Sequence, residues 1–167
     1  MSSHLRVSTA IAEDAESVAV VRNAAADHLT REFGLGHWSG LTTSAAVLRG
    51  ISSSRVLIVR DGDTIVGTLR LATKRPWAID ATSYSPSERP LYLVDMAVLP
   101  AMQRRGAGRR LLEAAVTTAR AWQGTAIRLD AYDHPAGAGG FYEKCGFREV
   151  GRAVYRGVPL VYYELLL

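Results

Sequence analysis

The sequence predicts a single mixed α/β domain of about seven strands and four helices, because its hydrophobic repeat switches between the strand period of 2 and the helical period of about 3.6. Two further observations agree. Asp61-Gly62-Asp63 and Arg156-Gly157 read as tight hairpin turns, and between Leu91 and Tyr132 a strand, a glycine-bearing turn, a helix and a second strand follow in succession.

In chain order, residues 5–8 read as a short opening strand. From about Glu13 to Leu29 the apolar positions Ala15, Val18, Ala19 and Val21 recur at helical spacing. The glycine-punctuated stretch from Phe33 to Gly40 reads as a loop, and a second helix is expected near residues 44–51. Runs 55–60 and 64–73 are β-rich and should pair antiparallel across Asp61-Gly62-Asp63. Residues 76–90, rich in Ser and Pro, read as a surface excursion before a strong strand over 91–99 that Pro100 stops. Leu111, Leu112, Ala115, Val116 and Ala119 then mark one face of a helix ending near Gly124, and 126–132 is again a strand. Strand, helix, strand predicts a right-handed crossover. A short helix over 138–144, stopped by Gly146, leads to a closing hairpin of 147–155 and 158–166 around Arg156-Gly157. The predicted order is β-α-α-β-β-β-α-β-α-β-β, without a repeat or linker to divide it, so residues 1–167 are taken as one domain.

Composition narrows the function classes. A chain of 167 residues with 48% hydrophobic content can bury a sizeable core, and 22% charged residues in a sequence of ordinary complexity argue against disorder. Met1-Ser2-Ser3-His4 lacks the apolar stretch of a secretory signal, and no later apolar run approaches the ~18 residues of a membrane span. The expectation is a cytoplasmic protein with no membrane partner. The lone Cys145 excludes an internal disulfide and a Cys-based zinc site, and reads as a small buried hydrophobe. His4, His28, His37 and His134 show no metal-ligand spacing, so no metal is expected.

The net charge of +4 is modest, yet Arg104, Arg105, Arg109 and Arg110 fall in one short stretch that should attract a polyanion. That stretch joins a strand to a helix through Gln103-Arg104-Arg105-Gly106-Ala107-Gly108. Glycines there let a ligand approach the backbone, and a helix start presents N–H groups and a positive dipole end. A phosphate cradle and a simple tight turn both fit the glycines alone. A Walker loop is excluded because G-x-x-x-x-G-K-[ST] is absent, and a Rossmann fingerprint would need a third glycine where Leu111 stands.

Gln103-Arg104-Arg105-Gly106-Ala107-Gly108 resembles the Q/R-x-x-G-x-G/A signature of the GCN5-related N-acetyltransferase superfamily, and it follows a strand ending Met96-Ala97-Val98-Leu99-Pro100 as that family's does. Phe141-Tyr142-Glu143-Lys144-Cys145-Gly146-Phe147 resembles the family's later F/L-Y-E-K-x-G-F segment. The resemblance is firm over residues 91–150, agrees with the whole element order, and carries no signal at 28–52 or 76–90.

It implies a mixed, mostly antiparallel central sheet and an acetyl-CoA-dependent N-acetyltransferase. It also implies that backbone amides from Gln103 through Arg104, Arg105, Gly106, Ala107 and Gly108 to Arg109 hold the CoA pyrophosphate. Met96, Ala97 and Val98 would follow the pantetheine arm along a bulged strand, since bulges re-aim main-chain groups. The Met96 N–H would then polarise the thioester carbonyl, a contribution worth roughly 2.7–4 kcal/mol in other enzymes.

Two proton problems follow from that chemistry. The acceptor amine, with a pKa of roughly 10, must be neutral to attack, and the departing thiolate, pKa around 8.5, is eased by a proton. Tyr142 matches the position the family uses as general acid. Asp130, within Leu129-Asp130-Ala131-Tyr132, matches the acidic residue some members use as base, with Asp95 and a water chain as rivals. Pro135 stands where many members carry asparagine, and His134 reads as an ordinary loop residue.

The acceptor is expected to be a small primary amine attacked directly in a ternary complex. A peptide or protein N-terminus and a non-catalytic acetyl-CoA-binding module are the competing readings, and nucleic-acid binding lacks interleaved aromatics. Asp95, Asp130, Glu32 and Glu164 would suit a cationic acceptor, and Arg70, Lys74, Trp38 and Tyr92 a carboxylate or ring. Each also has an ordinary surface or core explanation. A homodimer is left open.

Overall fold

The structure is a computed structural model that describes residues 4–167; Met1, Ser2 and Ser3, part of the stretch read above for a secretory signal, lie outside the described residues. The strands are β1 (Leu5–Thr9), β2 (Arg55–Asp61), β3 (Thr64–Ala72), β4 (Pro90–Val98), β5 (Ala126–Tyr132), β6 (Arg148–Tyr155) and β7 (Val158–Leu166). The helices are α1 (Ala15–Phe33), α2 (Ser44–Ser53), α3 (Ala107–Ala121) and α4 (Gly139–Lys144). The strand order β1-β2-β3-β4-β5-β7-β6 is that of a mixed, mostly antiparallel sheet, and the element order is the predicted one. By internal contacts the chain forms two compact units, the first running to Leu71 and adding Val94–Ala115, the second made of Ala72–Leu93 and Val116–Leu167.

In the first unit, β1 and β3 flank β2 antiparallel. The β2–β3 turn is the tight one that Asp-Gly demands: Asp61 pairs with Thr64, and Gly62 sits at φ 60. Helix α1 buries Ala15, Val18, Ala19, Val21 and Ala26, and the first four of these pack with Val47 of α2 and Val56 and Ile58 of β2 in one apolar cluster. It runs four residues past the expected Leu29, to Phe33, because no breaker intervenes before Gly34, whose φ of 82 and N–H bond to the Thr30 carbonyl (2.9 Å) close it. Thr43 caps α2, its hydroxyl accepting the Ala46 N–H at 3.2 Å. Gly67 on β3 is required by close approach. A Cβ there would lie 2.8 Å from Val59, 3.1 Å from Leu111 of α3 and 3.3 Å from the Ala97 carbonyl.

In the second unit, β4 and β5 run parallel through Pro90–Ala126, Leu91–Ile127 and Tyr92–Arg128. β7 pairs antiparallel with all seven residues of β5 and with β6 across Arg156-Gly157, whose φ values of 50 and 79 define the tight turn. The core holds Ile79, Tyr84, Tyr92, Leu160 and Tyr162.

Two of those residues correct the reading of 76–90 as a surface excursion. Ile79 is 0% and Tyr84 6% exposed; the Tyr84 hydroxyl donates to the Leu129 carbonyl at 2.7 Å, and the Tyr162 hydroxyl donates to the Ala78 carbonyl. Ser and Pro around them raise the polarity of the segment and mask its two anchors.

Glu164, weighed above as a contact for a cationic acceptor, is instead committed to the fold. It is 2% exposed, accepts the Ser85 hydroxyl at 2.6 Å and N–H at 3.2 Å, and pairs with Arg148 at 3.0 Å. Burial pushes its carboxyl up, but the bonds from Ser85 and Arg148 outweigh burial and hold it below the ordinary range. Its stabilising contribution is therefore complete above the unfolded carboxylate value and is lost as pH falls through the depressed one. Glu164→Ala should cost about 3 kcal/mol in urea unfolding at neutral pH, because it strands the Ser85 groups. A change below about 1 kcal/mol would contradict this role.

Candidate active site

The second half of β4 leads into the turn. Asp95, inside the strand, has φ 56, a left-handed conformation that costs a non-glycine residue roughly 1–2 kcal/mol. Its carboxylate holds that geometry through two cations, accepting Arg22 Nη2 at 3.2 Å and Arg70 Nε at 3.0 Å. Met96, Ala97 and Val98 follow, each half-buried. The Leu99 N–H donates to the Val66 carbonyl at 2.8 Å, tying the end of the strand to β3.

Pro100–Met102 forms one 3-10 turn, after which Gln103 donates its side-chain amide to the Val98 carbonyl at 3.4 Å. Arg104 has φ 62 and Gly106 φ 90. No atom lies within 4 Å of where a Gly106 Cβ would stand, so the turn is open at that point. The first helical bond of α3 runs from the Arg110 N–H to the Gly106 carbonyl at 3.0 Å. Ala107, Gly108 and Arg109 therefore lie ahead of it, where N–H groups have no intrahelical acceptor. Ala107 and Leu111 are 1% and 0% exposed and anchor the helix start, while Arg104, Arg105, Arg109 and Arg110 are exposed and form no ion pair among the described residues. Amides, dipole and guanidiniums can together accept a polyanion, and an open positive-φ glycine is what close approach of a pyrophosphate requires.

The second unit carries the other predicted residues. Asp130, in register with Tyr162, is half-buried, and burial raises its carboxyl above the ordinary value. Tyr142 on α4 is 7% exposed; burial first, then the Asp130 charge, raises its phenol well above the usual value. Its ring packs on Phe141, Phe147 and Tyr163 at centroid distances of 5.6, 5.7 and 6.3 Å. Gly146 at φ 95 ends the helix, and the Phe147 N–H donates to the Tyr142 carbonyl at 3.0 Å. The structure thus brings Asp130 and Tyr142 together in one unit, and Asp95, Met96 and the glycine turn in the other.

Other candidates fall outside this set. Tyr92 is buried, with its hydroxyl accepting Arg128 Nη1 at 3.4 Å, and the exposed Glu32 pairs with His28 at 3.3 Å. His134 accepts the Ala136 N–H at 2.9 Å within its own loop, and Pro135 is exposed. Sequence reasoning missed Tyr132, whose phenol is raised by burial and by Asp130, and Arg22. The signal for Arg22 was its place one turn after Val18, on the buried side of α1. Among the described residues no group of three or more His, Cys, Asp or Glu could hold a metal ion, and no helix is long and apolar enough to cross a membrane.

Fold and turn together define an α/β protein with an open glycine turn, its N–H groups ahead of the first helical bond, at the junction of β4 and α3. The chain belongs to the acetyltransferase (GNAT) family, whose profile matches residues 18–147. Among solved structures it is similar to YncA of Salmonella typhimurium, which was solved with its cofactor acetyl-CoA, at 18% identity over 98% of this chain and 94% of that one, with TM-score 0.72. An N-acetyltransferase of Staphylococcus aureus Mu50 is 16% identical over 98% and 99%, with TM-score 0.74. The ribosomal-protein-S18-alanine N-acetyltransferase of Escherichia coli is 14% identical over 97% and 93%, with TM-score 0.71. At these identities the likeness is one of fold. No curated protein matches the chain by sequence.

Proposed function

We propose that this protein transfers the acetyl group of acetyl-CoA to the primary amine of a small molecule, by direct attack in a ternary complex. The observation that carries the reading is the β4–α3 turn, with Gly106 at φ 90 facing open space and three N–H groups ahead of the first helical bond. Backbone amides from Gln103 to Arg109 take the diphosphate, aided by the arginines, while Met96, Ala97 and Val98 line the pantetheine arm.

The remaining roles come from the family resemblance together with the local electrostatics. The Met96 N–H meets the thioester oxygen as that oxygen gains charge. Tyr142 keeps its proton at working pH and donates it toward the departing sulfur. Asp130 accepts the proton of the amine, and a carboxyl raised by burial is a stronger base than an ordinary one. Asp95 is already neutralised by two guanidiniums, which favours a positioning role for it. A lone thiol, Cys145, and no disulfide accord with a cytoplasmic setting.

Calorimetry with CoA and acetyl-CoA tests the cradle, and free-thiol release with amine panels tests the transfer. Gly106→Val should weaken acetyl-CoA binding roughly tenfold to a hundredfold, since φ 90 strains any Cβ and the added methyls enter the space left for the diphosphate. Unchanged affinity in that variant, or no heat with wild-type protein, would remove the assignment.

A further inference from the structure

A cavity of about 290 Å³ opens within the first unit, lined by residues of α1, α2, β3 and the second half of β4. Val18 and Val47 supply apolar surface, and Arg22, Arg49, Arg70 and Asp95 supply the charge. Three guanidiniums against one carboxylate leave the cavity cationic.

Those cations retain binding capacity. Arg22 uses one donor, on Asp95 at 3.2 Å, and Arg70 uses two, on Asp95 at 3.0 Å and on the Ser54 hydroxyl at 3.4 Å. A guanidinium carries five donors in a fork that matches a carboxylate. Arg49 makes no side-chain ion pair among the described residues. The side chains of Arg22, Arg70 and Asp95 are 27%, 30% and 33% exposed, so these charges are partly withdrawn from water and act more strongly than at an open surface.

Gly50 supports the same arrangement. A Cβ there would stand 3.1 Å from Arg70 Cδ, so this helix-interior glycine leaves room for the arginine stem beside α2. The volume lies at the small end of ligand cavities, with room for a molecule of amino-acid size.

Resting on the acetyltransferase reading, we infer that this cavity receives the acetyl acceptor and that the acceptor is a small aliphatic amino acid. Arg49, with the spare donors of Arg22 and Arg70, holds its carboxylate, and Val18 and Val47 meet its apolar side chain. The amine nitrogen forms the new C–N bond to the acetyl carbon as the C–S bond breaks; the amine loses one proton and the CoA thiolate gains one.

The test is thiol release from acetyl-CoA with the free amino acids, each run beside its amide and its decarboxylated amine. A small aliphatic amino acid should exceed both counterparts by at least about tenfold in kcat/KM. Arg49→Ala should lower that kcat/KM by roughly ten- to a hundredfold through the acceptor KM rather than kcat, as loss of a charged hydrogen bond predicts. Amides, amines or peptide N-termini used equally well would overturn the inference. So would the absence, in saturation-transfer NMR, of any amino acid binding that Arg49→Ala weakens. Acetyl-CoA calorimetry separates the two claims: heat with the cofactor but indifference to the carboxylate sinks only the acceptor assignment, whereas no heat with the cofactor sinks the acetyltransferase reading beneath it.

Discussion

Replacing Tyr142 with phenylalanine is expected to slow turnover about a hundredfold while leaving acetyl-CoA affinity within about twofold. The substitution removes one oxygen and keeps the ring, so the packing against Phe141, Phe147 and Tyr163 survives and stability changes by no more than about 1 kcal/mol. What is lost is a proton held firmly in place. Burial and the Asp130 charge both favour the neutral phenol, so Tyr142 is protonated throughout the physiological range. The same shift limits how it works. A phenol raised above its ordinary pKa is a weaker acid than a thiol of about 8.5, so full transfer to the sulfur runs uphill, and the phenol acts chiefly by a hydrogen bond to the thiolate as the C–S bond opens. Single-turnover measurements at saturating acetyl-CoA separate chemistry from binding. Equal rates in the two proteins would remove Tyr142 from the acid role.

Asp130→Asn is expected to lower kcat by about a hundredfold or more and, at the same time, to raise the melting temperature at neutral pH. Burial lifts the Asp130 carboxyl above its value in the unfolded chain, so the folded state binds its proton more tightly than the unfolded state does. Ionisation therefore costs stability, beginning as pH rises past the ordinary aspartate value of about 3.9 and reaching its full extent above the raised value. Asparagine carries no charge to desolvate and removes that cost. A carboxylate retained for structure alone would behave in the opposite way, with lower stability and unchanged turnover in the variant. The wild-type pH profile gives an independent check. With acceptor saturating, kcat should fall on the acid side at a pH above 3.9, and that limb should vanish in Asp130→Asn.

The sites of these two predictions were legible in the sequence to different degrees. Tyr142 and the Gln103–Arg109 turn could be read because their motifs are contiguous, and a contiguous motif folds into the same local shape wherever the chain places it. The strand position of Asp130 was also readable, but the upward shift of its carboxyl was not, since burial of one carboxyl depends on residues remote in sequence, such as those of β7 that pair with β5. Glu164 shows the reverse error. An acidic residue near the end of the chain was a reasonable contact for a cationic acceptor until the fold paired it with Ser85 and Arg148, 79 and 16 residues away in sequence. Ile79 and Tyr84 were hidden in the same way, two apolar anchors in a segment whose neighbours advertise a loop.

From sequence alone came the order and type of the elements, both hairpin turns and the glycine turn, because each is governed by interactions between residues a few positions apart. Left-handed geometry at Asp95, its clasp by Arg22 across 73 residues and by Arg70 across 25, and the cationic cavity that those side chains enclose were decided only when α1, α2, β3 and β4 packed together. Charge pairing and desolvation act through space, and distance along the chain carries no record of which cation will meet which carboxylate.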